Sequence, residues 1–263
     1  VGTQPIIGTQ INFSHGGEIG LLPIIAKNND GYKNIMELSS KSYLDNDGMS
    51  ENHCNLDDLL KINKELIVLS GSINGLVGKL FNKGKFNEIN QIYKLLKENY
   101  KNDFYIEIQR HGDLNEVGFE RYNLNKSKEL DIPIIATNEV YYLEKEMHEA
   151  HDALICIGNK TYINEKNRIK FSDNHYLKSD NEMKELFSDL PEALINNYNI
   201  TFKCNFRPQA SKPVLPNISS EKGGNADEIL IQDSLEGLKE KFLSVFKLKD
   251  VELATNPIFL KYK

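Results

Sequence analysis

The sequence predicts an α/β fold in which parallel strands are covered by helices. Two observations support this prediction: short β-branched, apolar segments recur in the first half of the chain, and amphipathic helical patterns lie between them. The predicted strands span residues 5–13, 65–71, 104–110 and 132–138. Strands that alternate with helices usually pair in parallel through right-handed crossovers. Functional residues are then expected where loops leave the carboxyl ends of the strands.

The clearest helical pattern follows the second predicted strand. In FNEINQIYKLLKENY the apolar side chains recur at spacings of three and four, which places them on one helical face. These residues are Phe86, Ile89, Ile92, Tyr93 and Leu96. Because the other face carries Asn, Lys and Glu, one side of this helix is expected to pack on the sheet.

Capping-box patterns predict the starts of two later helices. Ser179 precedes Glu182 by three residues in SDNEMKELF, so each side chain can bond the other residue's backbone N–H. Asn225 and Glu228 repeat this spacing before a second helix. The apolar side of that helix is predicted to consist of Ile231, Leu235, Leu238, Phe242 and Phe246.

A change of composition separates these two helices. The segment KPVLPNISSEKGGNA, residues 212–226, contains prolines and a glycine pair, which disfavour the interior of a helix or strand. We therefore predict a first domain of residues 1–206 and a second, mainly helical segment of residues 207–263. Because the chain begins with Val1 and ends in LKYK without a helix cap, both ends are expected to be cuts within a longer polypeptide.

The composition is typical of a soluble globular protein. Charged residues make up 27% of the chain and apolar residues 40%, and the net charge of −6 gives no general attraction to nucleic acid phosphates. The cysteines, Cys54, Cys156 and Cys204, contain no CxxC pair, which argues against a disulfide framework or a cysteine zinc site. No apolar run approaches the roughly 18 residues that cross a bilayer. A cytoplasmic location is expected.

The strand ends define where a site should lie. They are residues 10–12, 70–72, 110–112 and 138–141. His111 follows the third strand and is a candidate functional residue, while the neighbouring Arg110 could hold a phosphate. The alternative, which we favour, is that His111 is a loop residue that bonds backbone groups.

A second group of histidines occurs in EMHEAHDAL. His148 and His151 are three residues apart, whereas a zincin helix needs histidines at i and i+4 with a glutamate directly after the first. A catalytic zinc would also need a third ligand from elsewhere. Capping and surface solvation at a helix start are the favoured alternative to metal binding.

Several longer motifs occur together in an order known from one family. LIVLSGSINGLVGKL (66–80), FYIEIQRHG (104–112) and IPIIATNEVYYL (132–143) resemble the polymerase and histidinol phosphatase (PHP) domain of bacterial replicative DNA polymerases. Further matching segments are residues 26–44, 149–161, 176–197 and 203–206. The closing EILIQDSLEGLKEKF resembles the connection from that domain into the polymerase palm region.

The resemblance implies a distorted seven-stranded (β/α) barrel followed by a short, mainly helical connection into the palm region. The HxH and TDH-type motifs that open the family domain are absent from this sequence. The barrel is therefore expected to be incomplete and to lack its first βα units, on the order of 60 to 70 residues.

Metal-binding members of the family hold a cluster of ions that activates water against a phosphodiester. The resemblance places five of the family's ligand positions in this chain, and most of them carry side chains that bind metals poorly. These degenerate positions are Gln10, Leu21, Ser72, Glu139 and Tyr141. Only Glu139 keeps ligand chemistry, so the resemblance implies no metal, no other cofactor and no catalytic residue in this chain.

The resemblance implies that the chain is part of a replicative DNA polymerase, whose complete form would use magnesium held by palm carboxylates. Its PHP domain would act as a scaffold and as a docking surface for the proofreading exonuclease subunit. The complete protein would also contact the sliding clamp and primer-template DNA, and no membrane. The alternatives are a metal-dependent PHP phosphoesterase and an interaction module without a polymerase.

Overall fold

A six-stranded mixed sheet forms the centre of the first of two units, Val1–Pro208 and Gln209–Lys263. The computed structural model describes residues 2–45, 48–62, 64–210, 212–213, 225–246 and 255–262. The strands are β1 (Gly8–His15), β2 (Glu18–Ala26), β3 (Cys54–Asn55), β4 (Leu66–Leu69), β5 (Phe104–Ile108) and β6 (Ile134–Ala136). Their order is β3-β1-β2-β4-β5-β6, and the sheet does not close into a barrel. The predicted α/β class and incomplete barrel are confirmed.

Strand β2 corrects the expectation of a parallel sheet. β1 and β2 form an antiparallel hairpin, and β2 also pairs antiparallel with β4, whereas β4, β5 and β6 are parallel. Gly16 and Gly17 make the two-residue hairpin turn, and both have positive φ, as a type I′ turn requires. β2 was missed because Pro23 is rare inside strands; it is tolerated since the ladder to β4 covers only Ile24–Ala26.

Among the residues that the structure describes, eight α-helices of the first unit accompany the sheet. They are α1 (Asn29–Leu44), α2 (Leu56–Lys61), α3 (Leu76–Asn82), α4 (Phe86–Tyr100), α5 (Leu114–Leu130), α6 (His148–Asn159), α7 (Asp180–Leu186) and α8 (Pro191–Lys203). α4 buries the predicted face except at Phe86, which is half exposed. The capping box of Ser179 and Glu182 opens α7 as predicted.

The core lies on both faces of the sheet because successive strand residues point in opposite directions. On one face, β5 residues Ile106 and Ile108 pack with helices that include α4 and α5. On the other face, Tyr105 belongs to a second cluster with Ile200 of α8 and Cys204. α8 therefore covers the face that the other helices leave open.

α8 also seals the free edge of β6. The Asn197 side chain accepts the Ala136 N–H at 3.2 Å and donates to the Ala136 carbonyl at 2.5 Å. Asn196 donates to the Ile134 carbonyl at 2.8 Å. Side-chain amides thus take the hydrogen bonds that a further strand would make.

The second unit consists, in its described part, of α9 (Ala226–Phe246) and α10 (Pro257–Tyr262). Asn225 and Glu228 bond each other's backbone N–H groups at 3.3 and 2.9 Å, so the predicted capping box is confirmed. Phe242 packs edge-on against Phe259, with ring centroids 5.4 Å apart. Of the remaining residues predicted to line α9, Leu235 and Leu238 are half buried and Ile231 is exposed, and the side chain of Phe246 lies outside the described part of the chain. Among the described helices, none is both long and apolar enough to span a membrane.

Candidate functional site

The loops that leave β4, β5 and β6 meet at one edge of the sheet, because these strands are adjacent and parallel. We call this region, residues 70–72, 109–112 and 137–141, the strand-end site. It contains three of the five degenerate metal positions; these are Ser72, Glu139 and Tyr141. Ser72 uses its hydroxyl to accept the Asn74 N–H at 3.3 Å, which fixes the loop after β4.

The other two degenerate positions lie on the hairpin. Gln10 is inside β1, opposite Pro23, because β1 continues to His15 before it turns. The expectation that residues 10–12 end a strand is therefore wrong. Leu21 lies on β2, and its backbone approaches the strand-end site: a Cβ added to Gly71 would lie 3.1 Å from the Leu21 carbonyl oxygen. That approach, together with a φ of +83°, requires glycine at position 71.

A buried carboxylate, Glu107, stands beneath the strand-end site on β5 and is 5% exposed. Its Oε1 accepts the Thr137 hydroxyl and, at 3.1 Å, the Gln109 amide, whereas Oε2 has no partner among the described residues. Burial raises the pKa of Glu107, and the charge of Glu139 adds to the effect.

Two histidines stack on each other above Glu107's strand. The rings of His111 and His175 are 4.0 Å apart at an interplanar angle of 4°, and the residues are 2% and 4% exposed. His111 Nε2 accepts the Glu139 N–H at 3.2 Å, so its proton sits on Nδ1 and is donated to Glu116 at 2.9 Å. His175 Nδ1 donates to the Glu139 carbonyl at 2.9 Å. Both imidazoles thereby hold the backbone of Glu139.

The environment of His175 disfavours its charged form. Burial, followed by the charge that His111 would carry, lowers the pKa of His175. Burial alone would raise the pKa of Glu116. The hydrogen bonds that its carboxylate accepts from His111 and from backbone N–H groups outweigh this effect, so the pKa is lowered on balance. Glu116 is also the capping-box partner of Asp113 at the start of α5. The loop after β5 is thus fixed by one ionised carboxylate.

An aromatic cluster occupies the position of the family's last ligand. Tyr141 stacks on His151 at a ring distance of 5.1 Å and contacts Phe171 at 4.7 Å and His175 at 5.0 Å. Burial and the Glu139 carboxylate raise the pKa of Tyr141, so the phenol stays protonated. A neutral phenol packed among rings is a poor metal ligand.

Arg110 does not offer its guanidinium to a phosphate. Its five N–H groups all donate within the protein: to Glu120 at 3.0 and 2.6 Å, to Asp189 at 2.7 and 2.9 Å, and to the Leu186 carbonyl at 2.6 Å. These carboxylates raise the pKa of Arg110 further. The phosphate role considered from the sequence is therefore wrong, because every donor is already used.

The histidines of EMHEAHDAL have structural contacts. α6 begins at His148, whose Nε2 donates to the Phe171 carbonyl at 3.0 Å. His151 stacks on Tyr141, and Asp152 forms a two-bond ion pair with Arg168. These contacts tie α6 to residues 168–171 and favour the structural interpretation of the motif.

The donor set does not fit a cluster of divalent ions. Gln10 and Leu21 lie on the hairpin, Tyr141 is a phenol in contact with other aromatic rings, and both nitrogens of His111 are engaged. Within the residue ranges that the structure describes, no three His, Cys, Asp or Glu side chains are placed to share an ion. We derive no chemical step through a metal at this site.

Sequence reasoning overlooked Glu107 and His175. Glu107 did have a signal, since it is an acid inside the otherwise apolar strand FYIEI. His175 had none, because its neighbour His111 is distant in sequence and only the fold brings the rings together.

The chain is similar to proteins of known family. Residues 1–111 match the PHP domain. The chain is 36% identical over 256 residues to DNA polymerase III subunit alpha of Rickettsia conorii, which covers 96% of this chain and 21% of that protein. It is 35% identical to the same subunit of Caulobacter vibrioides over 246 residues, with coverages of 90% and 22%. For Vibrio cholerae the values are 33% over 261 residues, with coverages of 97% and 22%. The chain thus spans about a fifth of the length of these relatives.

Proposed function

The chain contains a PHP domain and is homologous over nearly its whole length to part of DNA polymerase III alpha subunits, and from this premise we propose that it is a section of a replicative DNA polymerase. The observation that carries the proposal is 36% identity over 96% of the chain. The complete protein would extend a primer along template DNA, with magnesium held by palm carboxylates. Residues 207–263 would form the start of the polymerase core.

Within that protein, we propose that this section is a metal-free scaffold. The substitutions at the ligand positions support this role, as do the contacts around them: the imidazoles, Glu116 and Tyr141 hold loops in place. We assign no catalytic, cofactor-binding or metal-binding residue to the chain. The section alone would neither polymerise nor cleave DNA.

The proposed partners follow from the same homology. They are the other subunits of the polymerase III holoenzyme, among them the proofreading exonuclease and the sliding clamp, together with primer-template DNA bound by the complete protein. We propose a cytoplasmic location, as for DNA replication in bacteria, and no membrane partner.

The first test reads the gene beyond the codon for Lys263. We expect an open frame that encodes a polymerase palm with paired aspartates. A stop codon close after Lys263 would contradict the polymerase proposal and would favour an independent module.

The second test concerns the metal. The purified chain, and the longer protein when available, are incubated with bis(p-nitrophenyl) phosphate and manganese, magnesium or zinc. We expect no more nitrophenol than from a matched Glu139→Gln variant. Release that depends on both metal and Glu139 would favour the alternative, a metal-dependent phosphoesterase, over the scaffold.

A further inference from the structure

An apolar groove runs along the outward face of α5, and we propose that it docks an acidic, amphipathic peptide segment of a partner protein. The groove has a volume of about 730 Å³, within the range of ligand-binding clefts. The inference rests on the docking role proposed above and adds the surface and the partner's chemistry.

The floor of the groove is a row of α5 side chains. Leu114, Val117, Arg121, Leu124 and Lys128 line it and follow one another at spacings of three and four, so they share one helical face. Leu114 is 93% and Val117 62% exposed, although Phe119 of the same helix is buried in the core. A surface helix normally has one apolar face; a second apolar row beside a groove indicates an interaction surface.

Three cations in the groove are not neutralised. Arg121, Lys128 and Lys178 line it, and none forms an ion pair in the part of the chain that the structure describes. Lys178 instead donates to the Asn138 side chain at 3.0 Å and to the Asn174 carbonyl. In a chain of net charge −6, this is an unusual local excess of positive charge.

The acids that line the same groove are already engaged. Glu120 binds Arg110, and Glu116 accepts bonds from His111 and the backbone. Asp113 caps the first turn of α5 through the Glu116 N–H. Since none of these carboxylates neutralises Arg121, Lys128 or Lys178, those cations are left for an external anion.

The shape and the lining select a peptide. From Leu114 to Lys128 the helix rises about 21 Å, which suits an extended or helical segment better than a compact metabolite. The apolar row would receive Leu-like anchors, and the cations would receive flanking carboxylates. None of the described residues that line the groove is aromatic, so these residues offer no stacking surface of the kind that binds single-stranded nucleic acid.

The test uses the 263-residue chain and a fluorescein-labelled peptide of about 14 residues, with Leu at helical spacings of three and four and Glu or Ala elsewhere. Fluorescence polarisation should show saturable binding. Peptides with Lys in place of Glu, or Ser in place of Leu, should not bind.

Two double variants locate the binding. Arg121→Glu with Lys128→Glu, and Leu114→Ser with Val117→Ser, should each weaken binding at least about tenfold. All four side chains are exposed, so thermal unfolding should be unchanged. Lys94→Glu on α4 and Leu154→Ser on α6 are matched controls that change exposed residues elsewhere and should not affect binding.

Absence of saturable binding, equal binding of the lysine peptide, or binding insensitive to the double variants would overturn the proposal. So would sedimentation showing a dimer that Leu114→Ser with Val117→Ser dissociates, because the groove would then bind a second copy. Each of these failures leaves the polymerase proposal intact, since that proposal is tested by the gene beyond Lys263.

Discussion

Burial raises the pKa of the Glu107 carboxyl group, and this shift makes the stability of the fold depend on pH. Below about its ordinary pKa of 4.5 the folded and the unfolded chain both carry the proton. As the pH rises above it, the unfolded chain releases the proton before the folded chain does, so stability falls. Glu107→Gln keeps an oxygen for Thr137 and Gln109 without that cost.

We therefore expect Glu107→Gln to raise the free energy of unfolding at pH 8 by on the order of 1 kcal/mol, and by less at pH 5. Urea unfolding at the two pH values measures this difference. A loss of stability equal at both pH values would show that Glu107 is held as the carboxylate.

Glu18→Gln is the matched control, because the environment of Glu18 has the opposite effect. Lys83 and Lys85 bond the Glu18 carboxylate at 2.7 and 2.8 Å and lower its pKa. The folded state then gains stability above the ordinary pKa and loses it as the pH falls through the lowered value. Glu18→Gln should therefore destabilise the protein at pH 8, and the effect should fade in acid.

His175 gives the protein a second dependence on pH. Its pKa is lowered from about 6.5 by burial and by His111, so below that pH the unfolded chain takes up a proton that the folded chain refuses. Stability should then fall as the pH is reduced below 6.5. His175→Asn, which can still donate to the Glu139 carbonyl, should flatten this fall.

Thermal unfolding of the wild type and of His175→Asn across this pH range measures the two slopes. His53→Asn serves as the control, since it removes a half-buried histidine outside the strand-end site. Equal slopes for the wild type and His175→Asn would contradict the assignment of His175 as the acid-sensitive group.

At the residue scale, sequence alone located the loop residues of the strand-end site but not the buried Glu107 and His175. It placed Ser72, His111, Glu139 and Tyr141 at strand ends, and the structure brings their loops to one edge. It misplaced Gln10, because the hairpin that lengthens β1 depends on β2. It considered a phosphate for Arg110, although the Glu120 and Asp189 carboxylates already bind this side chain. Such pairings are long-range and leave no periodic trace in the sequence.

Among the elements, α8 is the one whose side chains complete the sheet. Asn197→Ala would leave the N–H and carbonyl of Ala136 without partners at a part-buried edge. We expect a loss of about 1–3 kcal/mol in the free energy of unfolding, with more aggregation on heating as the β6 edge becomes available for pairing.

Urea unfolding and light scattering measure these two effects. Asn199→Ala is the control on the same helix, because Asn199 is exposed, whereas Asn196 and Asn197 are the side chains that bond β6. If Asn197→Ala and Asn199→Ala were equally stable, the hydrogen bonds from Asn197 to Ala136 would not contribute to the stability of the β6 edge.

The helices were better predicted than the sheet. α4 shows a regular spacing of apolar residues, and capping boxes mark the starts of α7 and α9, so local sequence was sufficient there. β2 contains Gly20 and Pro23, which are unfavourable in strands, and is stabilised by two neighbouring strands that no local pattern encodes. Because β2 was not predicted, its antiparallel pairing with β1 and β4 was not predicted either.

For the whole molecule, the separation into two units has a direct test. The first unit, Val1–Pro208, contains the sheet and the strand-end site, and the Phe242 and Phe259 cluster belongs to the second. We expect a chain ending at Pro208 to unfold cooperatively with a midpoint within about 2 °C of that of the longer chain.

Circular dichroism and calorimetry of the two chains provide the comparison. Loss of the cooperative transition on removal of residues 209–263 would show that the first unit depends on the second. The identity of the second unit as the start of a polymerase core stays a prediction until the gene is read further.

The hydrogen bonds from Asn196 and Asn197 to β6 determine at which edge the sheet can accept another strand. With the β6 margin occupied by Asn196 and Asn197, a strand contributed by additional polypeptide has no vacant partner on that flank. The opposite margin is the two-residue β3, whose shortness leaves most of the neighbouring β1 backbone open to pairing. In a longer protein with this architecture, further strands would accordingly join the sheet at the β1 and β3 edge and not at the β6 edge.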